Sequence, residues 1–260
     1  MKCIKHIAAV AVLAFSSLTA HADQLADILD AGVIKIAVPE SFPPFGSVGA
    51  SLEHEGYDVD VAKLIAENLG VKIEIVPVSS KQRIPFLSSG KVDIVISSMG
   101  ANPERAKSIW FSSAYAPFFS GVFAAESMDI STAADLSGKK VGVTGGTLED
   151  LELSKSLPTD AEMVRFGDNA ATITAYVSGQ VDVLVTGNTV AAKVAADNPK
   201  LEMKTKFIIK DSPAFMGVKA GEMNMLQWVN VFITHKKFGG ELNAMSEKWF
   251  GQSLPALPVL

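Results

Sequence analysis

The stretch SGKVDIVISS at residues 89–98 has a close counterpart, SGQVDVLVTG, at residues 178–187. Each copy indicates a helix end, a tight turn at glycine and a short apolar strand. The copies lie 89 residues apart, and each follows an earlier strand and helix pattern. This repeat predicts two α/β lobes of similar build, and such lobes bind ligands beyond the carboxyl ends of their strands. A cleft between the lobes is therefore the expected site for a small molecule.

Strand and helix patterns alternate around both copies. In the first lobe we predict strands at 34–38, 71–78 and 92–98, with helices at 57–69 and 83–89. In the second lobe we predict strands at 139–144, 162–166 and 181–186, with helices at 148–157, 170–178 and 188–196. Parallel strands need helical crossovers, so each set is a βαβαβ unit.

Two extended stretches, 115–125 and 201–219, are predicted to cross between the lobes, and helices at 223–234 and 241–250 to return to lobe one. Two crossings permit hinge closure while restricting twist. We therefore predict an α/β fold with two lobes, each a mostly parallel sheet flanked by helices, joined by two hinge crossings. Lobe one is expected at 23–117 and 214–260, and lobe two at 118–213.

Residues 1–22 have the features of a cleaved signal peptide. Lys2 and Lys5 form a basic region, residues 7–20 an apolar region, and Ala20-His21-Ala22 a small-residue cleavage site. The apolar run, about 14 residues, is shorter than the ~20 that a membrane span needs. No comparable run follows, so we expect a soluble protein exported to the periplasm.

Composition excludes several function classes. The single cysteine, Cys3, lies in the signal segment, so disulfides and thiol chemistry are not expected. His54 and His235 remain, far apart, and His, Asp and Glu show no metal-ligand spacing. We predict no metal and no cofactor. Without Lys2 and Lys5 the chain has 21 basic against 28 acidic side chains, and this charge of −7 argues against nucleic acid and anionic membranes.

Arg105 is the strongest candidate for ligand binding. Asn102 has the character of an N-cap and Pro103 that of a first helical residue, so Arg105 is expected one turn into a helix near the strand ends. A guanidinium there can hold a carboxylate through two parallel hydrogen bonds. The alternatives are a solvated arginine and an internal ion pair.

Weaker candidates surround the expected cleft. Gly146 and Thr147 lie in a GGT turn between a strand and a helix, where the backbone can approach an anion, although a plain tight turn explains them equally well. Ser98 ends a strand, and its hydroxyl contacts either ligand or backbone. Phe42 can cover an apolar part of a ligand or pack in the core. Arg83 begins a helix, which is unfavourable for a cation and indicates a negative partner.

Together these residues resemble the polar amino acid family of periplasmic solute-binding proteins, the capture components of ABC importers. The hallmarks are PPF at 43–45, GYDVDVA at 56–62, both SG-x-VD phrases, PER at 103–105, FSSAY at 111–115 and GGT at 145–147. The resemblance implies that Arg105 binds the ligand α-carboxylate with Ser98 and the backbone near Thr147. It also implies that Phe42 is the aromatic platform, and that Ser80 and Arg83 match the members that bind acidic amino acids.

The chain departs from this family at the position that usually pairs with the ligand ammonium. Aspartate is usual there, whereas this chain has Gly187-Asn188; threonine or serine is usual at Gly100, and an acidic residue is frequent at Pro39. Either Glu40 or another acid replaces the aspartate, or the ligand is a carboxylate without an amine. If an ammonium partner is missing, an aspartate introduced at Gly187 is expected to improve the binding of ordinary amino acids.

The expected function is the capture of an acidic or polar amino acid, or a related carboxylate, by lobe closure. The protein is expected to be a monomer without catalytic residues that presents its closed form to an ABC transporter permease in the inner membrane. One alternative is an enzyme that resembles cyclohexadienyl dehydratase, with Glu149 as the general acid. Another is a ligand-sensing module for a membrane receptor.

Overall fold

A computed structural model of the protein describes residues 23–258, so the predicted signal peptide at 1–22 lies outside the described residues. The strands are β1 (Val33–Pro39), β2 (Ser47–Val48), β3 (His54–Glu55), β4 (Lys72–Val78), β5 (Ile94–Gly100), β6 (Ile109–Ala116), β7 (Phe119–Ala125), β8 (Lys140–Thr144), β9 (Glu162–Phe166), β10 (Val183–Gly187), β11 (Met203–Asp211) and β12 (Ala214–Lys219). The helices are α1 (Gln24–Ala31), α2 (Tyr57–Leu69), α3 (Arg83–Ser88), α4 (Leu148–Leu153), α5 (Asn169–Val177), α6 (Asn188–Asp197), α7 (Met223–Gly239) and α8 (Glu241–Phe250).

Two five-stranded sheets form the two lobes. Their strand orders are β4-β1-β5-β12-β6 and β11-β7-β10-β8-β9. The chain passes from the first sheet to the second between β6 and β7, and returns between β11 and β12. The prediction of a two-lobed α/β fold with two crossings is therefore confirmed.

Each sheet is mixed, which corrects the expectation of mostly parallel sheets. In the first, β1 pairs in parallel with β4 and β5, whereas β12 is antiparallel to both β5 and β6. In the second, β8 pairs in parallel with β9 and β10, whereas β7 is antiparallel to β10 and β11. The crossing segments cause the difference, because they extend the sheets as long antiparallel strands.

The SG-x-VD repeat has the same structure in both lobes. Gly90 and Gly179 have φ of 72° and 74°, a left-handed turn that favours glycine. Asp93 Oδ2 accepts a hydrogen bond from the Lys35 amide at 2.7 Å, and Asp182 Oδ2 accepts one from the Lys140 amide at 2.8 Å. Each aspartate thus fixes the start of its strand against the neighbouring strand.

The C-terminal helices pack on the first lobe. α7 lies against β6 and α8 against α2. The Trp249 indole donates to Asp60 Oδ2 at 2.8 Å and anchors α8 on that helix. α7 extends to Gly239, five residues beyond the predicted end, and Gly240 then ends it in a left-handed conformation. Within residues 23–258, no helix is both long enough and apolar enough to span a membrane.

Candidate functional site

A pocket lies between the lobes, where strands β1, β4, β5, β8 and β9 end. Its lining residues come from both lobes and from the first crossing: Pro39, Phe42, Val78, Ser80, Arg83, Ser97, Ser98, Gly100, Arg105, Phe118, Thr147, Leu148, Glu149 and Asn169. The cavity has a volume of about 20 Å³. This is enough for roughly one or two water molecules. A larger ligand therefore does not fit this pocket as the lobes lie in the structure.

Arg105 lies on the first lobe and reaches across to the second. Its Nη1 donates to the Gly100 carbonyl at 2.7 Å, and its Nη2 donates to the Gly146 carbonyl at 2.9 Å. Burial lowers the pKa of its guanidinium, while Glu149 opposes that shift. Asn102 Oδ1 accepts from the Arg105 amide at 2.8 Å, but the helix expected there is a short 3₁₀ turn, Arg105–Lys107, whose N-cap is Glu104 and not the predicted Asn102.

Arg83 is the second buried guanidinium in the pocket. Its Nε donates to the Ser80 carbonyl at 3.1 Å and its Nη1 to the Ser97 carbonyl at 2.8 Å. Burial and the nearby Arg105 lower its pKa to about 9, while Glu149 raises it. The hydrogen bonds of its side chain go to two neutral carbonyl oxygens and not to the negative partner expected from its place at a helix start. Further N–H donors remain, because a guanidinium has five.

A buried carboxylate supports the floor of the pocket beneath Ser98. Asp58 accepts from the Ser98 amide at 2.8 Å and from the Tyr115 hydroxyl at 2.6 Å. Burial is the main cause that raises the pKa of Asp58 to about 7. Ser98 has φ of 41°, a left-handed conformation that costs a non-glycine residue about 1 kcal/mol or more. Asp58 therefore holds Ser98 in a backbone conformation that serine does not adopt by preference.

The second lobe contributes its GGT turn and the start of α4. Thr147 is the N-cap of α4, and its Oγ1 accepts from the Asp150 amide. Asp150 Oδ2 in turn accepts from the Gly146 amide at 3.0 Å. Lys81 of the other lobe packs over the turn, since a β-carbon on Gly145 would lie 2.8 Å from Lys81 Cε. The turn thus lies at the lobe interface, and glycine permits this close approach.

Glu149 is the acidic residue among those that line the pocket. It is only 5 % exposed, and its Oε2 accepts from the Ser120 hydroxyl at 3.2 Å. Burial raises the pKa of Glu149, whereas Arg83, Ser120 and Arg105 act in the opposite direction. The pocket accordingly has two guanidinium groups and one carboxylate.

Aromatic rings close one side of the pocket. Phe42 stacks on Phe45 with ring centroids 5.8 Å apart, and Phe118 packs against both rings. Phe42 therefore belongs to the core and also borders the cleft, so both sequence interpretations apply to it. Phe118 lies at the first crossing and fixes the hinge next to the pocket.

Gly187, Asn188 and Glu40 are not among the residues that line the pocket. A β-carbon built on Gly187 would overlap the ring of Phe118, so this ring takes the space expected for an acidic side chain. Asn188 Oδ1 accepts from the Phe119 amide at 3.1 Å, a hydrogen bond at the first crossing between the lobes. Glu40 continues β1 outside the lining, with its amide bonded to the Val78 carbonyl. In this structure none of these three positions places an acidic side chain against the pocket.

An aspartate at Gly187 is therefore expected to destabilise the protein instead of improving binding. The new side chain must displace Phe118, and overpacking of this kind costs about 1–3 kcal/mol. The matched control is Gly167→Asp, because a β-carbon on Gly167 meets nothing within 4 Å. Urea unfolding of both variants measures the difference. Equal stability of Gly187→Asp and the wild type, with tighter binding of amino acids, would reinstate the original expectation.

The sequence interpretation missed several lining residues, among them Phe118 and Asn169. The side chain of Asn169 accepts from the Thr144 hydroxyl at 2.8 Å at the end of β8. Its place directly after β9, at the start of a helix, was the available signal. Phe118 had no local signal beyond its place in an aromatic crossing. Within residues 23–258, His, Asp and Glu form no group of three suited to a metal ion.

Comparison with known proteins agrees with this architecture. The family model for bacterial extracellular solute-binding proteins, family 3, matches residues 34–252. The ABC transporter glutamine-binding protein of Bacillus subtilis is 29 % identical over 232 residues, which cover 87 % of this chain and 84 % of that protein.

One solved structure and one enzyme are also similar to this chain. The solute receptor for L-cysteine of Neisseria gonorrhoeae superposes with a TM-score of 0.80 at 31 % identity, over 86 % of this chain and 92 % of that one. The cyclohexadienyl dehydratase of Pseudomonas aeruginosa is 33 % identical over 112 residues, which cover 43 % of this chain and 42 % of the enzyme. The matched region of the family model contains every residue that lines the pocket and both sheets except Val33, the first residue of β1, and this chain therefore belongs to the bacterial extracellular solute-binding proteins of family 3.

Proposed function

We propose that the protein is the periplasmic amino acid-binding component of an ABC importer and that its ligand is an acidic or polar α-amino acid. The observation that carries this proposal is the pair of buried guanidinium groups, Arg83 and Arg105, at the interface of two lobes. A ligand carboxylate placed between the lobes takes up the N–H donors that the carbonyl oxygens leave free. Closure then follows, because the ligand binds the closed state more tightly than the open one.

The charges of the pocket favour an acidic amino acid within this class. Arg83 and Arg105 contribute two positive charges and Glu149 one negative charge. A ligand with two carboxylates and one ammonium group matches each of these charges. A basic amino acid adds a cation to a buried site that already has an excess of them, which is unfavourable at low dielectric. The sequence feature that pointed the same way is the Ser80 and Arg83 segment.

The named relatives support transport as the setting. The matched protein of Bacillus subtilis is a glutamine-binding protein of an ABC transporter, and the matched structure from Neisseria gonorrhoeae is a receptor for L-cysteine. We propose the same setting here: the protein is exported to the periplasm, acts as a monomer and delivers its ligand to a permease in the inner membrane.

The test is a thermal-shift screen of the twenty amino acids and a set of di- and monocarboxylic acids. A ligand that binds only the folded state raises the midpoint in proportion to its affinity and concentration. We expect the largest shifts with L-aspartate, L-glutamate or their amides, followed by calorimetry on the best ligand. Shifts confined to carboxylic acids without an amine would replace the proposed ligand class with organic acids.

An enzymatic function is the second candidate, because a buried acid lies in the pocket. Burial raises the pKa of Glu149, which is the property that a general acid needs. Incubation with prephenate or arogenate tests it directly. Turnover that Glu149→Gln abolishes would establish catalysis, whereas binding without turnover agrees with the transport function.

A further inference from the structure

Glu149 has a buried carboxylate without a cation in contact. Among residues 23–258, neither arginine of the pocket forms an ion pair within 4.0 Å of Glu149. Its side-chain hydrogen bond comes from Ser120, a neutral hydroxyl that is fully buried. Burying an ionised carboxylate in this way is costly unless a positive group pairs with it or a proton neutralises it.

The two arginines are held by other groups. Arg83 is oriented by the carbonyls of Ser80 and Ser97, and Arg105 by those of Gly100 and Gly146. Neither guanidinium donates a hydrogen bond to the carboxylate of Glu149. The carboxylate of Glu149 therefore accepts hydrogen bonds from the Ser120 hydroxyl and from its own backbone amide, but it has no cation within 4.0 Å among the described residues.

The fold places this carboxylate beside the sheet position that lacks a side chain. Ser120 on β7 is directly opposite Gly187 on β10 in the antiparallel register. Side chains of opposite residues in such a pair lie on the same face of the sheet. The tip of Glu149, bonded to Ser120, thus lies on the sheet face to which a side chain at Gly187 would point, and the ring of Phe118 occupies the space of that side chain. Glu149 belongs to α4, so its carboxylate reaches this face of the sheet from a helix and not from β10.

We propose that Glu149 accepts the ammonium group of the bound ligand and thereby selects amino acids over carboxylic acids that lack an amine. This inference rests on the proposed function, since it requires an amine-bearing ligand. The guanidinium side of the pocket receives the carboxylates, and the Glu149 side receives the cation. Glu149 is thus a determinant of ligand class.

The test compares pairs of ligands that differ only in the amine. L-aspartate is compared with succinate, and L-glutamate with glutarate, by calorimetry on the wild type and on Glu149→Gln. We expect Glu149→Gln to weaken the binding of the amino acid of each pair roughly 30- to 1,000-fold, because it leaves a buried ammonium without its counter-charge. Binding of the acid without an amine is expected to change less than about threefold or to tighten.

The matched control is Glu152→Gln, one turn further along α4. Glu152 pairs with Lys155 at the surface and does not line the pocket. Its replacement is expected to leave the affinity of both ligands within about twofold, since surface ion pairs contribute little.

Two contradictory outcomes are separable. Wild-type binding of amino acids that Glu149→Gln leaves unchanged, or an equal loss for both members of a pair, overturns the assignment of Glu149 while the proposed function stands. Wild-type binding of succinate or glutarate, with none of any amino acid, overturns the proposed function itself and the assignment with it.

Proton exchange in the wild type provides a second measurement that needs no variant. An ammonium at Glu149 favours the ionised carboxylate and releases protons on binding, whereas a ligand without an amine favours the protonated form and takes protons up. Arg83, Arg105 and Ser120 face Glu149, and Asp58 titrates nearby, but these groups are common to both ligands of a pair. Calorimetry in buffers of different ionisation enthalpy, corrected for ionisation of the free ligand, gives the difference. Equal proton exchange for L-aspartate and succinate contradicts the inference.

Discussion

Arg105→Ala is expected to weaken the binding of the best ligand from the screen by about 3–5 kcal/mol, roughly 150- to 5,000-fold. Two losses combine in this effect. The ligand carboxylate loses its charged partner in a buried site, and the bond from Arg105 to the Gly146 carbonyl of the other lobe disappears. Calorimetry measures the affinity. Arg105→Lys is expected to recover only part of it, because an ammonium cannot provide two parallel donors to a carboxylate.

Lys107→Ala is the matched control for this prediction. Lys107 lies in the same 3₁₀ turn, and its side chain is exposed and pairs with Glu104. Its removal is expected to leave affinity unchanged within about twofold. An Arg105→Ala protein that keeps its affinity within this limit would remove Arg105 from the ligand site.

Asp58→Ala is expected to lower the free energy of unfolding by about 3 kcal/mol. The Tyr115 hydroxyl loses its acceptor inside the first lobe, where a buried group left without a partner costs about 1–3 kcal/mol, and the Ser98 amide keeps only its longer bond to the Tyr115 hydroxyl at 3.2 Å. Asp58→Asn is the matched control, because an amide oxygen can accept from Ser98 while its NH₂ group donates to Tyr115. Urea unfolding at pH 5 should show a loss of less than about 1 kcal/mol for this variant.

The same residue makes the stability of the protein depend on pH. Its pKa is about 7 in the folded state, against about 3.9 for an unperturbed aspartate. The folded state therefore binds the proton more tightly, and the stability that this provides is present at low pH and is lost as the pH rises through 7. Between pH 5 and pH 8 the loss is on the order of 2 kcal/mol. Asp58→Asn should lack this component, and a variant with the same pH slope as the wild type would contradict the assignment.

The candidate site was predictable where a single segment carries the information. Ser98 lies two residues before the end of β5, Arg105 follows β5 and Thr147 follows β8, and all three line the pocket. For Glu149, two residues after Thr147, the sequence predicts only a role as the general acid of the enzymatic alternative. The position of its carboxylate depends on the hydrogen bond from Ser120, which is 29 residues away in sequence. No pattern within α4 predicts that contact.

The sequence alone determined the two-lobed plan, because alternating hydrophobic periods, glycine turns and the SG-x-VD repeat act over a few neighbouring residues. The tertiary structure alone decided how the pocket is completed. The ring of Phe118 occupies the space beside Gly187, and the carboxylate of Asp58 accepts hydrogen bonds from the Ser98 amide and the Tyr115 hydroxyl. These arrangements join residues 40 to 69 positions apart, or cross from lobe to lobe. Their energies depend on packing and burial that exist only once both sheets have formed.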